Sequence, residues 1–178
     1  MYWRVKLKNV KIVDFLILLI GGYWGYRLMR KEFLTNNNHE IEILARTVYG
    51  EARGEVPAGQ KAVMATILNR VRKGGWWGAT IEDVCLKPYQ FSCWNPKTVG
   101  TTDKSEIANY NQMIHVTMED ELYAYIYQLA KTAVTDNGGY LINDLSNGAT
   151  HYHAVGANPY WAKEMTKTAQ IGNHIFYK

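Results

Sequence analysis

The sequence predicts an α+β domain, mainly helical, with a small antiparallel sheet near its carboxyl end and a hydrophobic helix ahead of it. Three observations carry this. Apolar residues recur at helical spacing in several segments between Glu40 and Val134. After Thr150 the pattern changes to short runs of strand type. A polar stretch from Glu32 to Glu40 separates both from a basic, then apolar, amino terminus.

In that terminus Arg4, Lys6, Lys8 and Lys11 precede Ile12–Met29, the order of an export signal. The apolar heart, Phe15 to Tyr26, is shorter than the ~20 residues that cross a bilayer. Extending it to Ile12 and Leu28 puts Asp14 near one interface and Tyr23, Trp24 and Tyr26 near the other. No small-x-small cleavage site follows. Residues 1–31 are therefore expected to be an uncleaved signal-anchor with the amino end inside, holding the remainder on the periplasmic or extracytoplasmic side of the inner membrane. The alternative is a hydrophobic helix docked on the domain; Asp14, Gly21, Gly22 and Gly25 weaken commitment to the bilayer. Residues 32–39, with Asn36-Asn37-Asn38, read as a linker of poor helix propensity, leaving 40–178 as the globular domain.

Ile41, Leu44, Ala45 and Val48 form one apolar helix face ending around Tyr49 to Ala52. Val56-Pro57-Ala58-Gly59 is a turn with Pro57 suited to a first helical position. A second helix, Gln60 to Arg72, is marked by Ala62, Val63, Ala65, Ile67, Leu68 and Val71. Trp76 and Trp77 lie in a glycine-rich loop, and Thr80-Ile81-Glu82-Asp83 caps a short third helix. Lys87 to Asp103 is long and aperiodic, a length typical of functional loops. Helix resumes from Lys104 to about Met113, and again from Met118 to Val134 with Leu122, Tyr125, Ile126, Leu129 and Ala133 on one stripe. Asp136-Asn137-Gly138-Gly139 ends it. Strands follow at Thr150–Ala154, Lys167–Gln170 and His174–Tyr177, the last two joined by a hairpin turn at Gly172-Asn173.

A chain of 178 residues and net charge +4 is too weakly basic to argue for nucleic acid. Tyr and Trp, at 13 and 6 against 4 Phe, combine flat apolar faces with polar handles, which suits both a core and a groove for hydroxylated rings. Cys85 and Cys93 close a short loop around Pro88. A disulfide between them is expected outside the cytoplasm, and two buried thiols inside it.

The chemistry concentrates in Tyr49-Gly50-Glu51-Ala52-Arg53-Gly54-Glu55. Gly50, Ala52 and Gly54 leave the backbone bare around Glu51, so a bulky ligand can approach a carboxyl at a helix end, as general acid catalysis requires. A solvated helix terminus with a glycine stop gives the same spacing. Glu55 is the second carboxylate candidate: the two could divide acid and base work, or one could act alone while Arg53 keeps Glu55 ionised. Gln90, Phe91, Ser92 and Trp94 bring amide, aromatic and hydroxyl groups together, fit either for sugar binding or for plugging a loop into the core. His151 and His153 share a strand face around Tyr152. Groove lining is favoured over half of a metal site, and no metal is expected.

Ala45-Arg46-Thr47-Val48-Tyr49-Gly50-Glu51-Ala52-Arg53-Gly54-Glu55, followed by Gly59-Gln60-Lys61-Ala62-Val63 and Ile67-Leu68-Asn69-Arg70-Val71, closely resembles the SleB-type cell-wall hydrolases. So do Gln90-Phe91-Ser92-Cys93-Trp94, Ala149-Thr150-His151-Tyr152-His153-Ala154, Pro159-Tyr160-Trp161-Ala162 and Ile171-Gly172-Asn173-His174-Ile175-Phe176-Tyr177. These blocks run in order through the domain and miss the apolar terminus. The resemblance implies a lysozyme-like fold, no cofactor, and peptidoglycan as substrate. It further implies cleavage between N-acetylmuramic acid and N-acetylglucosamine by lytic transglycosylation, with Glu51 matching the catalytic acid. A hydrolytic muramidase of the same fold and a non-catalytic peptidoglycan-binding protein are the alternatives. The sequence lacks the peptidoglycan-binding repeats of the spore members. An envelope enzyme of a Gram-negative cell or a phage-type endolysin is therefore expected over a spore role.

Overall fold

The first helix, α1, occupies residues 37–52 and is built around Leu44, Ala45 and Val48, all fully buried. It belongs to a computed structural model that describes Gly25, residues 37–135 and residues 143–178. The expected signal-anchor, the first part of the linker and the Asp136–Gly139 helix stop lie outside the described residues, Gly25 excepted. By packing the chain divides into two units, residues 1–36 and 37–178, and every helix and strand from α1 onward belongs to the second. Among the described residues no helix is long and apolar enough to cross a membrane. Residues 37–39, read as linker, are already helical, and His39 pairs with Glu82 at 3.2 Å.

Helix α2, Pro57–Lys73, begins with its proline at the first turn, where the missing N–H leaves no bond unmade. Helix α3, Ile81–Cys85, starts at a reciprocal box in which Thr80 and Asp83 each accept the other's backbone N–H. The aperiodic stretch holds a single 3-10 turn, Ser92–Trp94, and the short α4, Asn95–Thr98. Helices α5, Lys104–His115, and α6, Glu121–Thr135, complete the helical layer. In α6 the buried residues are Tyr123, Ile126, Ala130 and Ala133, whereas Tyr125 is exposed, so the expected stripe is rotated toward Tyr123. Tyr123 wins the core position because its ring meets Tyr49 of α1 edge-to-face at 5.7 Å.

The sheet is antiparallel with order β1-β3-β2, from β1 His151–Ala154, β2 Lys167–Ile171 and β3 His174–Tyr177. His151 pairs with Tyr177 and Ala154 with His174, which fixes the face on which Tyr152 sits. The hairpin turns at Gly172-Asn173, as the sequence predicts.

Cys85 and Cys93 are both free and buried, so the expected disulfide is absent. Each thiol is committed to a different piece of packing. Cys85 closes the buried face of α3 with its pKa pushed up to about 12 by burial, and Cys93 is pressed against Gly50 of α1.

Candidate active site

Glu51 stands in the last turn of α1, partly exposed, where three elements converge. Gly50 makes the convergence possible. A Cβ there would lie 2.7 Å from Cβ of Cys93 and 2.9 Å from Sδ of Met113, so only glycine lets the Ser92–Trp94 turn close on the helix. The indole N–H of Trp94 then donates to the Thr47 hydroxyl at 2.8 Å and locks the turn in place. As a result the Cys93 N–H reaches Oε1 of Glu51 at 3.3 Å. From β1 the Tyr152 hydroxyl donates to Oε2 at 3.0 Å. Burial first, and the Glu51 carboxylate second, hold the Tyr152 phenol well above its ordinary pKa, so it keeps the proton it donates.

Tyr152 also lines a groove of about 530 Å³ whose other aromatic walls are Trp76, Trp77, Tyr89, Tyr160 and Trp161. Ring centroids step from Trp76 to Trp77 at 4.8 Å, to His151 at 5.1 Å and to Trp161 at 5.1 Å. Trp76, Tyr89 and Tyr160 are 63%, 77% and 83% exposed, leaving apolar faces open to a ligand. The polar lining is Arg70, Gln90 and His151. Burial lowers the pKa of His151, with Arg70 and Lys73 adding to the effect, so the imidazole is neutral at neutral pH. Among the described residues that line it, the groove therefore carries its fixed charge on Arg70. That guanidinium is 5% exposed, lies 4.4 Å from the Trp77 ring centre and 5.0 Å from that of Phe91, and donates from Nε to the Thr150 carbonyl at 2.7 Å. Its Nη1 is buried with no hydrogen-bond partner among the described residues.

Glu55 does something else. Its Oε2 accepts the Asn173 N–H at 2.9 Å in the hairpin turn, and Oε1 lies 3.7 Å from Nδ1 of His174. Gly172, at φ +56°, is pressed so close that a Cβ would lie 2.0 Å from Oε2. The carboxylate thus braces the sheet against the end of α1. Arg53, expected beside Glu55, instead bonds Asn109 and the Gly50 carbonyl.

Of the residues expected to bind substrate, Gln90, His151 and Tyr152 line the groove. Ser92 is exposed on the neighbouring turn. Phe91 and Trp94 are 2% and 3% exposed, so their rings pack the core beneath it. His153 turns to the Tyr177 hydroxyl at 3.0 Å and to the edge of Trp161. Among the described residues no three His, Cys, Asp or Glu side chains are grouped to hold a metal.

A family model described as Cell Wall Hydrolase matches residues 54–177. The chain belongs to that family. The match includes Glu55, Arg70 and the whole aromatic groove, and begins three residues after Glu51. The crystal structure of the catalytic domain of the Bacillus cereus SleB protein is similar at a TM-score of 0.56 and 30% identity, covering 79% of this chain and 91% of that one. The catalytic domain of the germination-specific lytic transglycosylase SleB from Bacillus anthracis is similar at 0.52 and 28%, covering 78% and 93%. The spore cortex-lytic enzyme of Halalkalibacterium halodurans is 29% identical over 143 residues, 79% of this chain and 35% of the relative. The Bacillus cereus enzyme is 28% identical over 144 residues, 80% and 45%. The chain thus spans less than half the length of these curated relatives.

In this cell wall hydrolase the groove residues not expected from the sequence are Arg70, Trp76, Trp77, Tyr89, Tyr160 and Trp161. Arg70 had a readable signal: it continues the Val63, Ile67 spacing of the buried face of α2, where an unpartnered cation is costly. Tyr89 had none, since its positive φ of 64° shows only in the fold.

Proposed function

We propose that the chain cleaves the glycan strand of peptidoglycan between N-acetylmuramic acid and N-acetylglucosamine as a lytic transglycosylase. The observation that carries the reading is a partly exposed Glu51 carboxyl, oriented by Tyr152 and Cys93, beside an aromatic groove, while the Glu55 carboxylate is committed to the hairpin. Of these two carboxyls, one is left for chemistry. Protonated Glu51 gives its proton to the glycosidic oxygen as the bond to the muramyl C1 breaks. The resulting carboxylate takes the proton of the muramyl C6 hydroxyl as that oxygen bonds C1, closing a 1,6-anhydro ring and restoring the acid. Aromatic faces in the groove hold sugar rings, and Gln90 and Arg70 meet their polar substituents.

The site acts outside the cytoplasm, in envelope remodelling or phage-type lysis, with residues 1–31 holding it at the inner membrane. The basic-then-apolar order of that segment supports this placement.

Mass analysis of fragments released from purified peptidoglycan tests the proposal. Anhydro-muramyl ends are expected from the native chain and none from Glu51→Gln. Reducing muramic ends would replace transglycosylation by hydrolysis with water. Release of peptides alone, or binding without release, would overturn glycan cleavage. Loss of activity in Glu55→Gln with Glu51→Gln still active would move the acid to position 55.

A further inference from the structure

A second groove of about 510 Å³ lies on the far side of Trp76 and Trp77, which line both depressions. Its remaining wall includes Leu86, Lys87 and Pro88, with Glu82 and Asp83 from α3. The wall is fixed before any ligand arrives. Gly78, at φ +119°, is packed so tightly that a Cβ would fall 2.4 Å from Cβ of Asp83, and Asp83 accepts the N–H groups of Ala79 and Thr80 at 3.0 and 3.1 Å. The Lys87 ammonium sits 4.3 Å from the Trp76 ring centre and also donates to the Trp76 carbonyl, which pins a tryptophan that is 63% exposed.

We propose that this second groove is a remote subsite for the same glycan strand, and that Trp76 is the ridge over which the strand passes from one groove to the other. The inference rests on the reading of the first groove as a saccharide site. A linear polymer lying along Tyr152, His151 and Trp77 must leave the first groove, and at the Trp76 end the adjoining concavity is the second. The contacts of 5.1 and 4.8 Å between His151, Trp77 and Trp76 are edge-to-face, so buried Trp77 ties the rings into one wall on which Trp76, 63% exposed, is the open face for a sugar ring at the junction of the two grooves. In the second groove Leu86 and Pro88 present apolar surface to a ring, while Glu82, Asp83 and Lys87 offer acceptors and a donor to hydroxyl and acetamido groups. The strand thus gains affinity from contacts that no short fragment centred on Glu51 makes.

The test is a nuclear magnetic resonance titration of the full chain carrying Glu51→Gln with peptide-free di-, tetra- and hexasaccharides of alternating N-acetylglucosamine and N-acetylmuramic acid. The disaccharide is expected to shift signals of Tyr160 and Trp161 only. Longer fragments are expected also to shift the Leu86 methyls and the Trp76 indole N–H, with affinity rising on the order of tenfold. In Glu82→Ala, whose side chain lines the second groove and pairs with His39 rather than with a residue of the first, that length-dependent gain is expected to shrink while disaccharide affinity stays the same. Shifts confined to Tyr160 and Trp161 at every length would overturn the remote subsite and leave the proposed function standing. Absence of binding at any length would overturn both.

Discussion

Gly50→Ala sets helix propensity against packing at the position that assembles the site. In a helix interior the change stabilises by up to about 1 kcal/mol. Here the new methyl meets Cβ of Cys93 at 2.7 Å and Sδ of Met113 at 2.9 Å. The sulfur ends a flexible side chain and can give way, but Cys93 is held by a turn whose Trp94 is anchored on Thr47. Overpacking of this kind costs about 1–3 kcal/mol. Packing therefore wins, by up to about 2 kcal/mol, which for a domain of this size lowers Tm by roughly 2–5 °C per kcal/mol. Relief of the clash moves the Cys93 N–H away from Glu51, and loss of a hydrogen bond worth about 1 kcal/mol lowers kcat by roughly fivefold. Gly54→Ala is the matched control, because a Cβ there meets nothing within 4 Å. It is expected to leave activity intact and to keep or raise Tm, by about 0.4–1 kcal/mol of stability. Thermal melts and turbidity clearing of purified cell walls read both variants. If Gly50→Ala melts higher than the native chain and clears walls at the native rate, the account of how α1 and the Ser92–Trp94 turn meet is wrong.

Gly172→Ala is expected to cost about 2–4 kcal/mol, from a left-handed residue that acquires a Cβ and from displacement of Glu55 off the Asn173 N–H; a urea midpoint unchanged from native would remove Glu55 from its bracing role. Tyr152→Phe is expected to preserve near-ultraviolet circular dichroism and KM while lowering kcat roughly tenfold, since only the hydroxyl on Glu51 is lost; a changed KM with native kcat would point to a binding role instead. Burial lowers the pKa of His174 below its ordinary 6.5, outweighing the attraction of Glu55. The unfolded chain therefore binds the proton more readily. The neutral ring's contribution is complete above the unfolded pKa and is lost as pH falls through the lowered folded value. Urea midpoints are expected to fall from neutral toward mildly acid pH, and His174→Asn to flatten part of that slope. A slope identical in the variant would assign it elsewhere.

Most of the architecture was readable because its signals are local. Pro57, the Thr80–Asp83 box and Gly172-Asn173 each fix an element boundary through chemistry within a few residues. The α6 stripe was misjudged because apolar side chains surround that helix on nearly every side. Partners on α1, the Tyr49 ring and the Arg46 guanidinium, select Tyr123 for burial. Glu51 stood out through the small residues beside it, whereas its two donors come from residues 42 and 101 positions away, which no local pattern joins. Aromatic side chains posed the hardest choice. Phe91 and Trp94 went inside while Trp76, Tyr89 and Tyr160 stayed out, and the difference lies in where their backbones run relative to Arg70 and Thr47.

The two sequestered sulfurs bear on where this domain can reach its native state. With no covalent staple across residues 85–93, packing alone holds that loop, and burial keeps both thiols protonated and away from solvent. A domain built this way reaches its native state without help from disulfide-forming machinery.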